Sequence, residues 1–336
     1  AARSAANRAT LIPTELVVRL KPGAKIEDWA RLVGAKVTGR IDSLNAYRLE
    51  FETEAAANAA REQLSASSDV ESVDNNYSIS RPSVPEQASG QSVPPPLKLQ
   101  LNPTSGDGRV VVGLIDTGIQ SLGTDLDKFI LETIKLAGDG ALNSSSPTHS
   151  TTMAGTILRS LQEITKGKTS VQILPIDVYG ANVNTTTFSV SQGIVLAVNK
   201  GATILNLSLG SAGDDALLRS IIADISSRNI PIFAAAGNEP VATPVYPAAY
   251  PGVQAVTAVD HGQIAPYANR GSFISYGVPG TSIVYFNNRP YQIIGTSAAS
   301  AAAAGFAAGY MDSTHSTAAQ MQSFMRNNFG VTITPR

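Results

Sequence analysis

With 336 residues, 43% of them hydrophobic, the chain can bury the core of one large domain and one small one. Its net charge of −1 argues against nucleic acid or an anionic membrane as partner, and the absence of cysteine excludes disulfides, a thiol nucleophile and Cys-ligated zinc. No apolar run reaches the ~18 residues that a membrane helix needs.

The opening AARSAANRAT lacks a basic-plus-apolar signal segment and reads as the ragged remnant of a removed leader, assigned to residues 1–13. Residues 14–81 then spell strand, helix, strand, strand, helix, strand. TELVVRL is the first strand, and IEDWARLVG carries apolar residues at helical spacing. AKVTGRI and AYRLEF alternate as half-buried strands, EAAANAAREQL is strongly helix-forming, and VESVDNNYSI closes the set. This order predicts a small α+β, ferredoxin-like domain. The stretch RPSVPEQASGQSVPPPLK follows, rich in Pro, Ser and Gln, and reads as an extended linker over 82–97 rather than a packed element.

Residues 98–336 follow a different grammar. The apolar runs VVVGLID, VQILPIDVYG, ATILNLSLG, IPIFAAAGN and VQAVTAVD are too continuous for strands with one wet face. They suit a parallel sheet covered on both sides, and helical stretches such as FSVSQGIVLAVNKG and DDALLRSIIADISSRN lie between them. Functional groups in open parallel sheets collect beyond the carboxyl ends of the strands. Asp116, Ser208 and Asn238 stand at such ends.

Asp116 belongs to VVVGLIDTGIQ, residues 110–120. Asp-Thr-Gly also marks aspartic proteases, but those need two carboxylates sharing a proton, and this α/β chain has a single copy. Taken alone, Asp116 equally suits a turn cap, with Gly118 supplying a permissive backbone. His149, one of three histidines, opens the helical stretch in PTHSTTMAGT and would alone suit a hydrogen-bonded core histidine. Ser297 follows Gly-Thr in IIGTSAASAAAAGFAAGY and opens a helix of Ala and Gly, where an N-cap is the plain alternative. The Gly-x-Ser-x-Gly elbow of α/β-hydrolases is not met, because position 299 is Ala.

Together, the chain order Asp116, His149, Ser297 is that of the subtilisin-type triad. The sequence resembles the subtilisin-like serine proteases: GLIDTGI is similar to the family's Asp motif, THSTTMAGT to its His motif and GTSAASAAAAG to its Ser motif. AAAGNEP resembles the oxyanion-hole segment, and NLSLGS the segment lining the substrate cleft. The resemblance covers about 98–336, and residues 14–81 look like the family's inhibitory propeptide, with a processing site expected in 82–97.

The implied fold is α/β, a doubly wound and mostly parallel sheet, preceded by the ferredoxin-like propeptide. The implied activity is a serine endopeptidase made as a self-processing precursor. Serine is a poor nucleophile unless a base takes its proton, and an imidazole titrates near neutrality. Asp116 would orient His149, while Asn238 and the Ser297 backbone N–H would meet the oxyanion.

The resemblance also implies strand-like substrate binding between Val183, Asn184 and Thr185 on one side and Ser208, Leu209 and Gly210 on the other. Ala235, Ala236 and Gly237 would complete the S1 wall, with Glu239 at its mouth and Thr187 where relatives carry an aromatic bordering S4. Tyr246-Pro247 is a candidate cis bond near S1.

The departures from the pattern are Thr152 for the second motif histidine, Ala298 for the methionine after the nucleophile, and Ala301 for a proline. The usual calcium-binding loop after the His helix is not recognisable, and LRSLQEITKGKTS stands there instead. No cofactor is expected. Expected partners are protein or peptide substrates and the chain's own propeptide, in a secreted or periplasmic monomer. A catalytically silent binding protein and a peptide ligase or cyclase are the alternative readings.

Overall fold

The structure, a computed structural model, describes residues 10–83, 86–87, 94–102, 109–123, 125–140, 142 and 145–331. Most of the span read as a leader remnant, and much of the linker, lie outside these residues.

The first unit runs β1 (Leu11–Leu20), α1 (Ile26–Leu32), β2 (Lys36–Ile41), β3 (Ala46–Glu50), α2 (Glu54–Ser65) and β4 (Val70–Ser80). Its antiparallel sheet has the order β4-β1-β3-β2, the arrangement expected of a split βαβ domain. Thr53 starts α2 as its N-cap, accepting the Ala56 N–H at 3.1 Å. Period-two alternation sends Leu16, Val18 and Leu20 to this unit's own core with Leu49 and Leu64. The intervening Val17, with Ile41, Ala46 and Ile79, packs instead into the core of the larger unit. The sheet is therefore apolar on both faces because helices cover one and the larger unit covers the other.

After this domain come β5 (Glu86–Gln87), β6 (Gln100–Leu101), β7 (Val111–Asp116), β8 (Ile134–Lys135), α3 (His149–Thr165), β9 (Lys168–Thr169), β10 (Gln172–Asp177), β11 (Asn184–Thr186) and α4 (Thr187–Asn199). The chain continues through β12 (Ile204–Leu207), α5 (Ala216–Ser227), β13 (Ile232–Ala235), β14 (Val253–Asp260), β15 (Gln263–Ile264) and β16 (Tyr276–Pro279). It ends with β17 (Thr281–Phe286), β18 (Arg289–Ile294), α6 (Thr296–Thr314) and α7 (Ala318–Phe329).

The main sheet has the order β15-β14-β13-β12-β7-β10-β8, with β16 also beside β14. Every pair in it is parallel except β14–β15. Both faces are covered, as the continuous apolar runs predict. Along β7, Val111 and Ile115 face the core built by α4 and α5, while Val112 and Leu114 face the one built by α3 and α6. The Ala/Gly composition of α6 lets it lie close against α3. A Cβ at Gly305 would stand 2.6 Å from the Ile157 carbonyl oxygen.

Two junctions tie the units together. β4 pairs antiparallel with β11, matching Ser78, Ile79 and Ser80 to Thr186, Thr185 and Asn184. Within the segment read as an extended linker, Glu86 and Gln87 pair antiparallel with Gln292 and Tyr291 of β18.

Candidate active site

Asp116 ends β7 at the carboxyl edge of the sheet and is fully buried. Its Oδ1 accepts the Thr117 N–H at 2.6 Å. His149 is the first residue of α3, where Thr148 caps the helix by accepting the Thr151 N–H at 3.2 Å. The cap and the strand end bring the two side chains together: His149 Nδ1 lies 2.8 and 2.9 Å from the Asp116 carboxylate oxygens. A carboxylate accepts only, so this contact calls for a ring proton on Nδ1, and in the neutral imidazole the lone pair then sits on Nε2.

Ser297 is the second residue of α6, half-buried, with its hydroxyl donating to the Ser208 carbonyl at 3.3 Å. The Ser208 hydroxyl in turn donates to the Ser297 carbonyl at 3.2 Å. Behind them Ser300 donates to Asn206 Oδ1 at 2.8 Å, and Asn206 Nδ2 donates to the Ser208 hydroxyl at 2.9 Å. This buried relay pins the start of α6 to the end of β12. Asn206 was not singled out from the sequence, although a polar residue inside the apolar run ILNLSLG was a visible signal.

Asn238 stands in the loop after β13, where its Oδ1 accepts from the Thr296 N–H at 2.8 Å and from the Thr296 hydroxyl at 3.1 Å. Asn269 supports that loop, donating from Nδ2 to the Ala236 carbonyl at 2.8 Å and accepting the Glu239 N–H at 3.0 Å. Gly237 has φ of 107°, and a Cβ there would meet Asn269 Nδ2 at 2.5 Å, so only glycine fits. Asn269 carried no pattern in the sequence that set it apart, whereas Thr296 lies within the quoted Ser motif.

The other candidate residues divide into three places. Ala235 and Ala236 are buried at the end of β13, and the Glu239 side chain is exposed beside Asn238. Leu209 is buried in the same core as Ile79, and Gly210 is half-buried after it. Val183 and Asn184 are exposed at the start of β11, and Thr185 is buried, donating to the Val178 carbonyl at 2.5 Å. The Tyr246-Pro247 bond is cis.

The small domain occupies the β11 side of this region. Beyond the β4–β11 ladder, the Arg81 N–H donates to the Val183 carbonyl at 2.8 Å. Arg81 Nε and Nη2 donate to the carbonyls of Asn182 at 2.9 Å and Gly180 at 2.7 Å. The guanidinium lies 5.2 Å from the Tyr179 ring centre. Burial pushes the Tyr179 phenol far above its ordinary value, so it stays protonated and donates to the Ser80 carbonyl at 3.1 Å.

Thr187, expected to border S4, lies at the start of α4 where β4 of the small domain covers it. It is buried, with its hydroxyl 2.5 Å from Asp215 Oδ2, 3.0 Å from Asn76 Oδ1, and accepting the Tyr77 N–H at 3.2 Å. Asn76 Oδ1 also accepts the Phe188 N–H at 3.1 Å. Asp215 caps α5, accepting the Leu218 N–H at 2.8 Å, and burial raises its carboxyl above the usual range.

Among the described residues, no group of three or more His, Asp or Glu side chains is placed to hold a metal ion, and no helix is long and apolar enough to cross a membrane. Thr152, Ala298 and Ala301, which replace the usual motif residues, are all buried. Thr152 donates back to the His149 carbonyl at 2.7 Å.

A family model described as the subtilase family matches residues 107–334, and one described as the fervidolysin N-terminal prodomain matches residues 1–76. The thermostable alkaline protease of Halalkalibacterium halodurans is 33% identical over 208 residues, 59% of this chain and 55% of that protein. Subtilisin Savinase of Lederbergia lenta is 31% identical over 220 residues, 61% of this chain and 76% of that protein. The chain spans little more than half the length of the alkaline protease it matches. Among solved structures, fervidolysin from Fervidobacterium pennivorans superposes with a TM-score of 0.72 at 17% identity, covering 94% of this chain and 57% of that one. The epidermin leader peptide processing serine protease of Staphylococcus aureus gives 0.68 at 16% identity, covering 98% and 94%. At these identities the structural matches speak for the fold.

Proposed function

Because the chain belongs to the subtilase family, we propose that it is a serine endopeptidase made as a self-processing precursor, inhibited by its own residues 14–81. The observation that carries the reading is the buried contact of the Asp116 carboxylate with His149 Nδ1 at 2.8 and 2.9 Å. It leaves Nε2 free to act as a base for Ser297.

In this reading the Ser297 hydroxyl turns from the Ser208 carbonyl to His149 Nε2 when substrate arrives. Nε2 takes the proton as Oγ attacks the scissile carbonyl. Asp116 stabilises the imidazolium without taking the proton itself. Negative charge grows on the carbonyl oxygen, where the Asn238 Nδ2 group and the Ser297 N–H donate to it. His149 then protonates the leaving amine, and water hydrolyses the acyl-enzyme by the same base.

Substrate lies as an extended strand along Val183, Asn184 and Thr185, with Ser208, Leu209 and Gly210 on its other flank. Ala235, Ala236 and Gly237 wall the S1 pocket, and Glu239 stands at its mouth. The β4–β11 ladder supports the inhibitor reading, because it covers the strand that this substrate would need. The domain assignment follows: leader remnant 1–13, propeptide 14–81, linker with processing site 82–97, catalytic domain 98–336. A secreted or periplasmic monomer completes the proposal.

A fluorogenic peptide assay read by product mass spectrometry tests it. Hydrolysed fragments support the endopeptidase. Ligated or cyclic products would replace it with a transferase, and no turnover by processed enzyme would leave a binding protein.

A further inference from the structure

The linker is anchored by backbone pairing at both of its described ends. On one side the last backbone bond to β11 is Arg81 N–H to Val183 O, at 2.8 Å. On the other, Glu86 and Gln87 pair with Gln292 and Tyr291 of β18. β18 ends at Ile294, three residues before Ser297. The chain therefore reaches from the β11 side to the strand that leads into the nucleophile, with residues 82–85 between.

The sequence of those residues narrows which bond Ser297 would cut. Arg81–Pro82 and Val84–Pro85 are both bonds to proline, whose ring crowds the preceding carbonyl and whose nitrogen carries no N–H. A bond at Pro85–Glu86 would put the reacting carbonyl next to a residue paired at Gln292. That is five residues from Ser297, a span of roughly 16 Å in extended chain. Pro82–Ser83 and Ser83–Val84 remain.

We propose that the edge of β18 covered here by Glu86 and Gln87 is a substrate-binding site for the leaving side of the peptide, taking residues three to five positions beyond the scissile bond by strand addition. The inference rests on the endopeptidase reading. Glu86 and Gln87 fall at those positions for either remaining bond. The edge is rigid: β18 is laddered to β17 over six residue pairs. Tyr291 is buried, donates to the Ser145 carbonyl at 3.0 Å and packs edge-on to Phe286 with ring centres 6.3 Å apart. The edge that the linker covers is backbone to backbone, a template that suits another extended chain as well. Exposed Ile294, between this edge and Ser297, offers an apolar contact to the residues that bridge them.

The test has three readouts. The processed wild-type chain should begin at Ser83 or Val84 by intact mass, and a start elsewhere overturns the threading. Quenched peptides sharing one sequence up to the second residue beyond the cut, and ending two, four or six residues beyond it, are then compared on processed enzyme. kcat/KM should rise roughly tenfold with length, as two added backbone hydrogen bonds allow. N-methylation of the fourth or fifth amide should abolish the rise. Cleavage that is indifferent to length and methylation overturns the β18 site while leaving the endopeptidase intact. If no peptide is cut, the endopeptidase reading fails instead. The strand pairing is then decided in the Ser297→Ala full chain, where Glu86→Pro with Gln87→Pro should speed amide exchange in 289–294 at least tenfold, and unchanged exchange overturns it.

Discussion

The Thr296 N–H donates to Asn238 Oδ1 at 2.8 Å, which fixes the rotation of the asparagine amide against the start of α6. The same threonine hydroxyl accepts the Gly237 N–H at 3.0 Å, tying the loop to the helix that carries Ser297. An oxyanion donor is useful because it is already oriented when charge develops. Asn238→Ala is therefore expected to lower kcat by roughly 10²–10³ with KM little changed. Steady-state kinetics on one peptide checks this, and an unchanged kcat would make Asn238 purely structural.

Ser297 makes one side-chain hydrogen bond, to the Ser208 carbonyl at 3.3 Å. Its loss should leave folding intact. Ser297→Ala is expected to accumulate as an uncut chain of 336 residues with normal circular dichroism. Its kcat should fall on the order of 10⁶, as when the nucleophile of a subtilisin is removed. Processing or turnover in a clean preparation would show that another group is the nucleophile.

Asn76 is buried where the small domain meets α4, and its oxygen serves the Phe188 N–H and the Thr187 hydroxyl. Truncation leaves the Phe188 N–H without its partner, at a cost of about 1–3 kcal/mol, while the Thr187 hydroxyl keeps Asp215. A separately expressed 1–81 segment should inhibit the processed enzyme, and Asn76→Ala in it should raise the inhibition constant by roughly 10–100-fold. Inhibition titrations decide the matter, and equal constants would place the binding energy elsewhere.

Asp215 supplies a pH dependence. Burial raises its carboxyl in the folded chain, the nearby Asp74 adds to the rise, and the bonds from Leu218 and Thr187 oppose it. Between the ordinary carboxyl value of the unfolded chain and the higher folded one, the folded state keeps a proton that the unfolded state has lost. The contribution to stability is thus full below the unfolded value and is lost as pH rises through the folded one. Asp215→Asn keeps a good N-cap and removes this slope. In a Ser297→Ala background, urea unfolding should show the asparagine variant gaining on its parent as pH rises from 3.5 toward 8. A constant difference across that range would contradict the assignment.

The strand-end position of Asp116 and the helix-start positions of His149 and Ser297 were legible, because there short-range pattern and residue type suffice to place a side chain. The alternating apolar runs likewise announced a sheet covered on both faces, and Val111 and Val112 do point to opposite cores. Thr187 was not legible in the same way. Its partner Asn76 is 111 positions away in sequence, and only docking of the small domain brings them together. The pairing of Glu86 and Gln87 with β18 left still less trace, since neither residue favours strands and the surrounding prolines argue for a plain linker. Strand addition is made by backbone N–H and C=O groups, which nearly every residue carries, so the side-chain pattern from which a sequence is read holds no record of it.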